Sequence, residues 1–292
     1  MKIALFGRRF NENFDTVIHS LLTKLFGKGL EIVVYQPFHQ FLTEQKKFDF
    51  PFSGFFDHHS NVPKDIEFLI CIGGDGTFLE AITYIRNSSI PLVGINSGRL
   101  GFLANIAGCE ADQVIDYLVS KEYSIEDRSL LEFSSEQQVF SDFPFALNEC
   151  TIQKAGSSLS TIHVTINGEY LTSYWADGLI ISTPTGSTAY SLSVGGPIVT
   201  PQCTNFIITP IAAHNLNVRP LVIPDTARLS LSVEGRTDNF LATLDSRSTK
   251  CNINNKINIS KAPFTIRMIK LPQINFYSTL RNKLMWGADK RN

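Results

Sequence analysis

The sequence has no run of apolar residues long enough to cross a membrane, no surplus of either charge, and no CxxC pair. Each absence excludes a class of protein. Without a long apolar run there is no membrane-spanning helix, and the short apolar stretch after Lys2 is too brief for a secretory leader. A formal net charge of −1 leaves no basic field that could hold nucleic acid or an anionic membrane by electrostatics alone. The cysteines, Cys71, Cys109, Cys150, Cys203 and Cys251, are odd in number and mostly set in apolar segments. That pattern predicts reduced, buried thiols in a soluble cytoplasmic protein rather than a disulfide framework or a zinc site. The adjacent His58 and His59 make a weak metal signal beside ligands spaced along one helix face. No partner among nucleic acids or membranes is expected.

What is present is apolar content of 43% in 292 residues, enough for two modest domains with cores of their own. The first part alternates strand and helix signals. "KIALFG", "LEIVVY", "EFLICI" and "IPLVGINSG" read as strands. Between and after them, Val17, Ile18, Leu21, Leu22 and Leu25 share one helical face, and "TFLEAITYIRN" and "EADQVIDYLVSKEY" read as helices. The Phe-rich stretch from Phe38 to Phe56 reads as irregular. Such alternation predicts a Rossmann-like parallel α/β domain over about 1–125. The pattern then changes. "TIHVTINGEYLTSYW" carries Asn167-Gly168 between two alternating runs, a strong hairpin signal. "ARLSLSVEG", "NFLATLDS", "NINNKINIS" and "APFTIRMIK" continue as short strands. The expectation is a β-rich, β-sandwich-like domain over about 126–271, followed by a helix in "FYSTLRNKLMWG".

Three clusters could carry chemistry. In "FLICIGGDGTFLEA" a lone acid, Asp75, sits among glycines between a buried strand and a helix. Glycine suits any tight strand-helix turn. It also lets a ligand approach the backbone at the edge of a parallel sheet where ligands usually bind, with a helix N-terminus offering N–H groups to phosphate. Neither the dinucleotide fingerprint GxGxxG nor a loop ending in GK[ST] fits. The second cluster, residues 174–199, packs Ser, Thr and Gly densely after Asp177-Gly178. It is either a loop of turn formers or a partly buried segment whose hydroxyls need partners, a ligand among them. Third, Asn148 and Glu149 close an apolar run and read, in isolation, as a polar strand end.

Together these segments resemble the NAD kinase family: "GGDGTFL" at 73–79, "GINSGRLGFL" at 94–103, "NE" at 148–149, "DGLIISTPTGSTAYSLSVGGPIV" at 177–199, "HNLNVRPLV" at 214–222 and the closing "LRNKLMWG". The resemblance spans nearly the whole chain in order. GGDGT alone is shared with diacylglycerol and sphingosine kinases and with phosphofructokinases, whereas the long hydroxyl-rich stretch preceded by Asn-Glu is specific. A lipid or sugar kinase would leave Asn148, Glu149 and residues 177–193 unexplained. A non-catalytic NAD(H)- or NADP(H)-binding regulator on the same fold would leave Asp75 without a task.

The resemblance implies an α/β domain followed by a β-rich domain, with the C-terminal segment from about 272 to 292 returning to the first. It implies transfer of the terminal phosphoryl group of ATP, or in some members polyphosphate, to the 2′-hydroxyl of the adenosine ribose of NAD. Mg2+ or another divalent cation is required and arrives with ATP. Asp75 would be the general base, with Gly74 and Gly76 giving ribose and phosphates clearance. Asn148 would read the adenine and Glu149 the ribose hydroxyls, while Asp177 would hold the nicotinamide-side ribose. Thr185, Thr188, Ala189, Tyr190, Ser191, Leu192, Ser193 and Ala212 fall on the family's NAD-binding positions. Phe102 is either a wall for adenine or a core residue, and His214 either structural or a ligand contact. One departure stands out. Many members carry Asp-Gly-Gln where this chain reads Asp245-Ser246-Arg247, and Arg247 is offered as a phosphate contact. Arg8 and Arg9, after the first strand, are either another triphosphate contact or an ordinary solvated pair. A homodimer or homotetramer is the assembly implied.

Overall fold

The computed structural model describes residues 1–156 and 160–287. The chain forms two compact units, Met1–Asp127 with the segment from Ile266, and Arg128–Thr265.

The first unit runs β1 (Lys2–Gly7), α1 (Asp15–Gly27), β2 (Glu31–Tyr35), α2 (Gln36–Gln40), β3 (Gly54–Phe56), β4 (Leu69–Ile72), α3 (Asp75–Ile85), β5 (Leu92–Asn96), β6 (Ile106–Ala107) and α4 (Ala111–Ser120). The strands pair in the order β6-β5-β4-β1-β2-β3, every pair parallel. Ile3 to Phe6 and Leu69 to Ile72 are buried throughout. Unbroken apolar runs of this kind belong to parallel strands covered on both faces. On α1 the buried side chains are Ile18, Leu21, Leu22 and Leu25, while Val17 lies at the rim. The Phe-rich stretch is more ordered than its sequence indicates. It contains α2, with Pro37 in the first turn, a further wide helical turn over Phe41–Gln45, and β3, which extends the sheet beside β2. Aromatics from earlier in the chain hold it: Phe10 meets Phe41 edge-on at 4.9 Å, and Phe26 stacks on Phe50 at 5.5 Å.

Two long strands, β7 (Ser124–Ser135) and β18 (Ile257–Lys270), carry the chain out of the first unit and back into it. Between them lie β8 (Phe145–Ala146), β9 (Glu149–Lys154), β10 (Ser160–Ile166), β11 (Glu169–Ala176), β12 (Gly178–Ser182), the single-turn α5 (Tyr190–Ser193), β13 (Asn205–Ile211), β14 (Leu221–Pro224), β15 (Leu229–Gly235), β16 (Asn239–Leu244) and β17 (Arg247–Asn252). Within the second unit β11-β10-β15-β18 form one antiparallel sheet and β14-β13-β12-β9-β16-β17 another. Inward residues of both, among them Ile162, Val164, Leu231, Leu179, Ile181 and Phe240, share one core. These are the parallel α/β and sandwich-like β architectures expected. β18 merges two segments read as separate strands, because Pro263 sits exposed on it and interrupts no buried ladder. After β18 comes α6 (Phe276–Leu284). No described helix is long and apolar enough to cross a membrane. All five cysteines are free; Cys71, Cys150 and Cys251 are buried as the apolar segments around most of them suggest, while Cys109 and Cys203 are exposed.

The β10–β11 turn has φ of 53° at Asn167 and 85° at Gly168, the pair of positive angles that a two-residue hairpin demands. A Cβ at Gly168 would meet nothing within 4 Å, so only backbone strain opposes a side chain there. Gly168→Ala should therefore lower unfolding free energy by about 1 kcal/mol. Chemical denaturation showing no loss would contradict that turn geometry.

Candidate active site

β4 ends at Ile72, and Gly73-Gly74 turn the chain so that Asp75 becomes the first residue of α3, two positions earlier than the sequence suggests. The Asp75 side chain does not project freely. Its Oδ1 accepts the backbone N–H groups of Leu103 (3.0 Å) and Ala104 (2.9 Å), and its Oδ2 that of Phe102 (2.9 Å). The loop after β5 supplies these donors and is folded by Asn96, which donates to Arg99 O and accepts from Gly98 N, both at 2.7 Å. A Cβ at Gly101 would fall on Asp75 Oδ1, so this seat requires glycine there. At Gly74 and Gly76, by contrast, a Cβ would meet nothing within 4 Å. The fold leaves open space at both positions.

A carboxylate offers about four acceptor directions. Three at Asp75 are taken by the loop, which leaves one, on Oδ2. There the structure places Lys283 of α6, its Nζ 3.6 Å away and 4.7 Å from the centroid of the Phe102 ring. Phe102 is half-buried and also faces Phe276. Lys283 lies in the closing "LRNKLMWG", a segment that carries the resemblance but to which the sequence assigns no role. Arg8 is not a plain solvated residue: its guanidinium forks onto the Glu80 carboxylate of α3 and lies over the Tyr35 ring.

In the second unit, β9 and β12 run antiparallel with Glu149 opposite Ser182 and Gln153 opposite Gly178. Asn148 and Glu149, both buried, mark one end of this pair. A second carboxylate seats them. Asp245, in the β16–β17 turn, accepts the N–H groups of Leu147 (2.9 Å), Asn148 (2.8 Å) and Glu149 (3.2 Å), and its own N–H donates to Glu149 O at 3.0 Å. Arg247 directs both terminal nitrogens at the carbonyls of Phe143 and Phe145 and stacks over the Phe143 ring. This geometry clamps the segment leading into Asn148, and the phosphate contact expected of Arg247 gains no support from it.

Burial, with the Asp245 carboxylate nearby, pushes the Glu149 carboxyl up to about 8, against the opposing pull of the Tyr190 N–H. Desolvation also pushes Asp245 up, while its three N–H bonds and Arg247 pull it back. A carboxyl raised in this way favours its protonated form, which donates as well as accepts. Its buried Oε2 makes no hydrogen bond within the protein, and an unsatisfied buried oxygen is costly unless something binds it.

Several hydroxyls of the Ser/Thr-rich stretch serve the fold. Ser182 donates to Thr183 O, Thr183 to Leu147 O, and Ser187 to Val199 O, while Ser191 pairs with Thr209 Oγ1 at 3.0 Å; all four are buried. Composition alone had offered a ligand as their partner. Gly186 packs so closely on the Asn148 backbone that any side chain would overlap it. Thr185 is buried and accepts from Arg128 at 3.3 Å. Thr188, Ala189 and Leu192 are half-buried, whereas Tyr190, Ser193 and Ala212 are exposed. The Tyr190 hydroxyl accepts from Gln153 Nε2 at 3.2 Å, which lays its ring along β9. At the far end of the strand pair Asp177 meets Lys154 at 2.5 Å, another residue the sequence did not single out. His58 caps a short turn through Ser60, and His214 is exposed. Among the described residues no three His, Cys, Asp or Glu side chains come together as a metal cage.

Residues 13–123 match the family model of the ATP-NAD kinase N-terminal domain, and residues 147–271 that of the ATP-NAD kinase C-terminal domain. The NAD kinase of Flavobacterium psychrophilum is 47% identical over 295 residues, and that of Cytophaga hutchinsonii 45% over 293, each alignment covering 100% of both chains. Among solved structures, yeast NADH kinase complexed with NADH superposes with a TM-score of 0.87 at 20% identity, over 99% of this chain and 88% of that one. An NAD kinase from Archaeoglobus fulgidus in complex with ATP gives 0.75 at 22%, over 98% and 99%. The structural likenesses speak to the fold, and the sequence relatives to the family. The protein is a phosphotransferase of the kinase class, with an alcohol group as acceptor. It belongs to the NAD kinase family.

The state of Glu149 has a measurable consequence. Its folded pKa of about 8 lies above the ordinary 4.5, so between those values the native state holds a proton that the unfolded chain has lost. The resulting stability is complete below the lower value and is lost as pH rises through the upper one, at up to about 1.4 kcal/mol per pH unit. Urea unfolding of the wild type should weaken across that window relative to Glu149→Gln. Parallel pH profiles for the two proteins would refute the shift.

Proposed function

We propose that this protein transfers the terminal phosphoryl group of Mg–ATP to the 2′-hydroxyl of the adenosine ribose of NAD, giving NADP and ADP. The observation that carries the reading is the single acceptor direction left on Asp75 at the C-terminal edge of a parallel sheet, where ligands of open α/β folds bind. The family supports it, as do relatives named NAD kinase along their whole length.

A ribose hydroxyl is a weak nucleophile until its proton is accepted. In the proposed step the 2′-oxygen attacks the terminal phosphorus as its proton passes to Asp75 Oδ2. The new O–P bond forms, the bond from that phosphorus to the bridging oxygen breaks, and ADP departs with the electron pair. The three N–H bonds at Asp75 fix the carboxylate in advance, so no reorientation is needed as the hydroxyl arrives. Magnesium, carried on the ATP phosphates, neutralises their charge and orients them; no side chain of this protein is assigned to it.

NAD is held by residues of the second unit. The Asn148 side-chain amide reads the adenine edge. Glu149, as a neutral acid, supplies its unsatisfied Oε2 and its proton to ribose hydroxyls. Asp177 exchanges part of its pairing with Lys154 for the vicinal hydroxyls of the nicotinamide ribose. Tyr190 offers a ring face, with Thr185, Thr188, Ala189, Leu192, Ser193 and Ala212 around it. Ser191 acts from behind, through Thr209.

Incubation of the protein with NAD, ATP and magnesium, followed by assay with an NADP-specific dehydrogenase and phosphorus NMR, tests the assignment. NADP bearing a 2′-phosphate, with one ADP per NADP, is expected. Absence of NADP with ATP and with polyphosphate, or a phosphate at another hydroxyl, would overturn it.

A further inference from the structure

Phosphoryl transfer spreads negative charge over the non-bridging oxygens of the group in flight, and a cation positioned there lowers the barrier. Among the described residues of the first unit one cation reaches Asp75. Lys283 Nζ stands 3.6 Å from Oδ2, beyond normal hydrogen-bond length, so the pair is loose. The ammonium is held instead by its surroundings, over the Phe102 ring at 4.7 Å, and both partners of the ion pair keep about a third of their side-chain surface exposed. Its position is set by the fold. α6 is capped by Asn275, whose side chain accepts the Ser278 N–H at 2.9 Å, and anchored by buried Thr279 and Leu280, with Phe276 against Phe102. The other basic group at this sheet edge with a defined contact, Arg8, is committed to Glu80.

Lys283 stands beside Oδ2, the Asp75 oxygen whose remaining acceptor direction a substrate hydroxyl must take. A hydroxyl arriving there displaces the ammonium from Oδ2, and a phosphoryl group bound to or approaching that hydroxyl lies within the reach of a flexible lysine. A compact point charge with three donors suits phosphoryl oxygen. We propose that Lys283 is a catalytic residue, which leaves Asp75 when substrate binds and moves onto a non-bridging oxygen of the transferring phosphoryl group. The proposal rests on the phosphoryl-transfer reading above.

The test measures kcat and the KM for NAD, with saturating Mg–ATP, in wild type, Lys283→Met and Lys283→Arg. Lys283→Met keeps the length of the chain and removes its charge. It should lower kcat on the order of 100-fold with KM for NAD nearly unchanged, and Lys283→Arg should recover part of the loss. Lys283→Cys treated with 2-bromoethylamine, which rebuilds an ammonium at that length, should regain activity. Wild type treated alike controls for the exposed Cys109 and Cys203. Unchanged kcat in Lys283→Met, a rise confined to KM, or failure of aminoethylation to restore kcat would overturn the proposal. If wild type itself forms no NADP, the phosphoryl-transfer reading fails instead.

Discussion

Three backbone N–H groups, those of Phe102, Leu103 and Ala104, converge on the Asp75 carboxylate, and the rest of the first unit is arranged to make that convergence possible. The parallel pairing of β4 with β5 brings the two strand ends side by side. Gly73 and Gly74 bring the chain round into α3, Asn96 folds the opposite loop, and Gly101 removes the one side chain that would collide with the carboxylate. A carboxylate with three fixed donors has one orientation and one remaining use. That suits the role proposed for Asp75, a base that meets a hydroxyl at a defined angle.

The second unit repeats the device for a different end. Asp245 gathers the N–H groups of Leu147, Asn148 and Glu149, and Arg247 gathers the carbonyls just before them. Here the seated carboxylate is the support, and the buried Asn148-Glu149 pair is what it holds. The cost is a second acid brought close to Asp245 in a buried place, and burial together with that neighbour raises the Glu149 carboxyl. In both units, then, an acid spends most of its acceptor capacity on main chain, in the first to fix itself and in the second to fix its neighbours. The replacement of a common Asp-Gly-Gln by Asp-Ser-Arg fits this scheme, because Asp245 keeps its task while Arg247 adds a clamp.

Much of this was legible in the residues. The alternation of strands and helices, the period-two runs after residue 125, and the Asn167-Gly168 turn all reflect local physics: backbone angles and which face is buried. The Phe-rich stretch was not, because α2 is little more than a turn and β3 has three residues, both too short for a periodic signal. Nor were the contacts that define the site. Asp75 lies 27 to 29 positions from its donors and Asp245 nearly a hundred from its own, and no local pattern encodes such pairings. Gly101 was the available clue, a glycine in "GRLGF" whose reason appears only when Asp75 is set against it. The hydroxyl-rich stretch misled in part, since composition does not distinguish a hydroxyl that binds a ligand from one such as Ser191 that ties two elements of the fold together.

The central claim is that Asp75 is seated to accept the hydroxyl proton and does nothing else that the reaction needs. Single-turnover phosphorylation of NAD by Asp75→Asn, in a protein shown by its melting profile to be folded, tests it most directly. An amide keeps the size of the side chain and most of its seat but is a poor base, so the rate should fall by at least about 100-fold while NAD affinity holds. A folded Asp75→Asn protein that phosphorylates NAD at the wild-type rate would contradict the account.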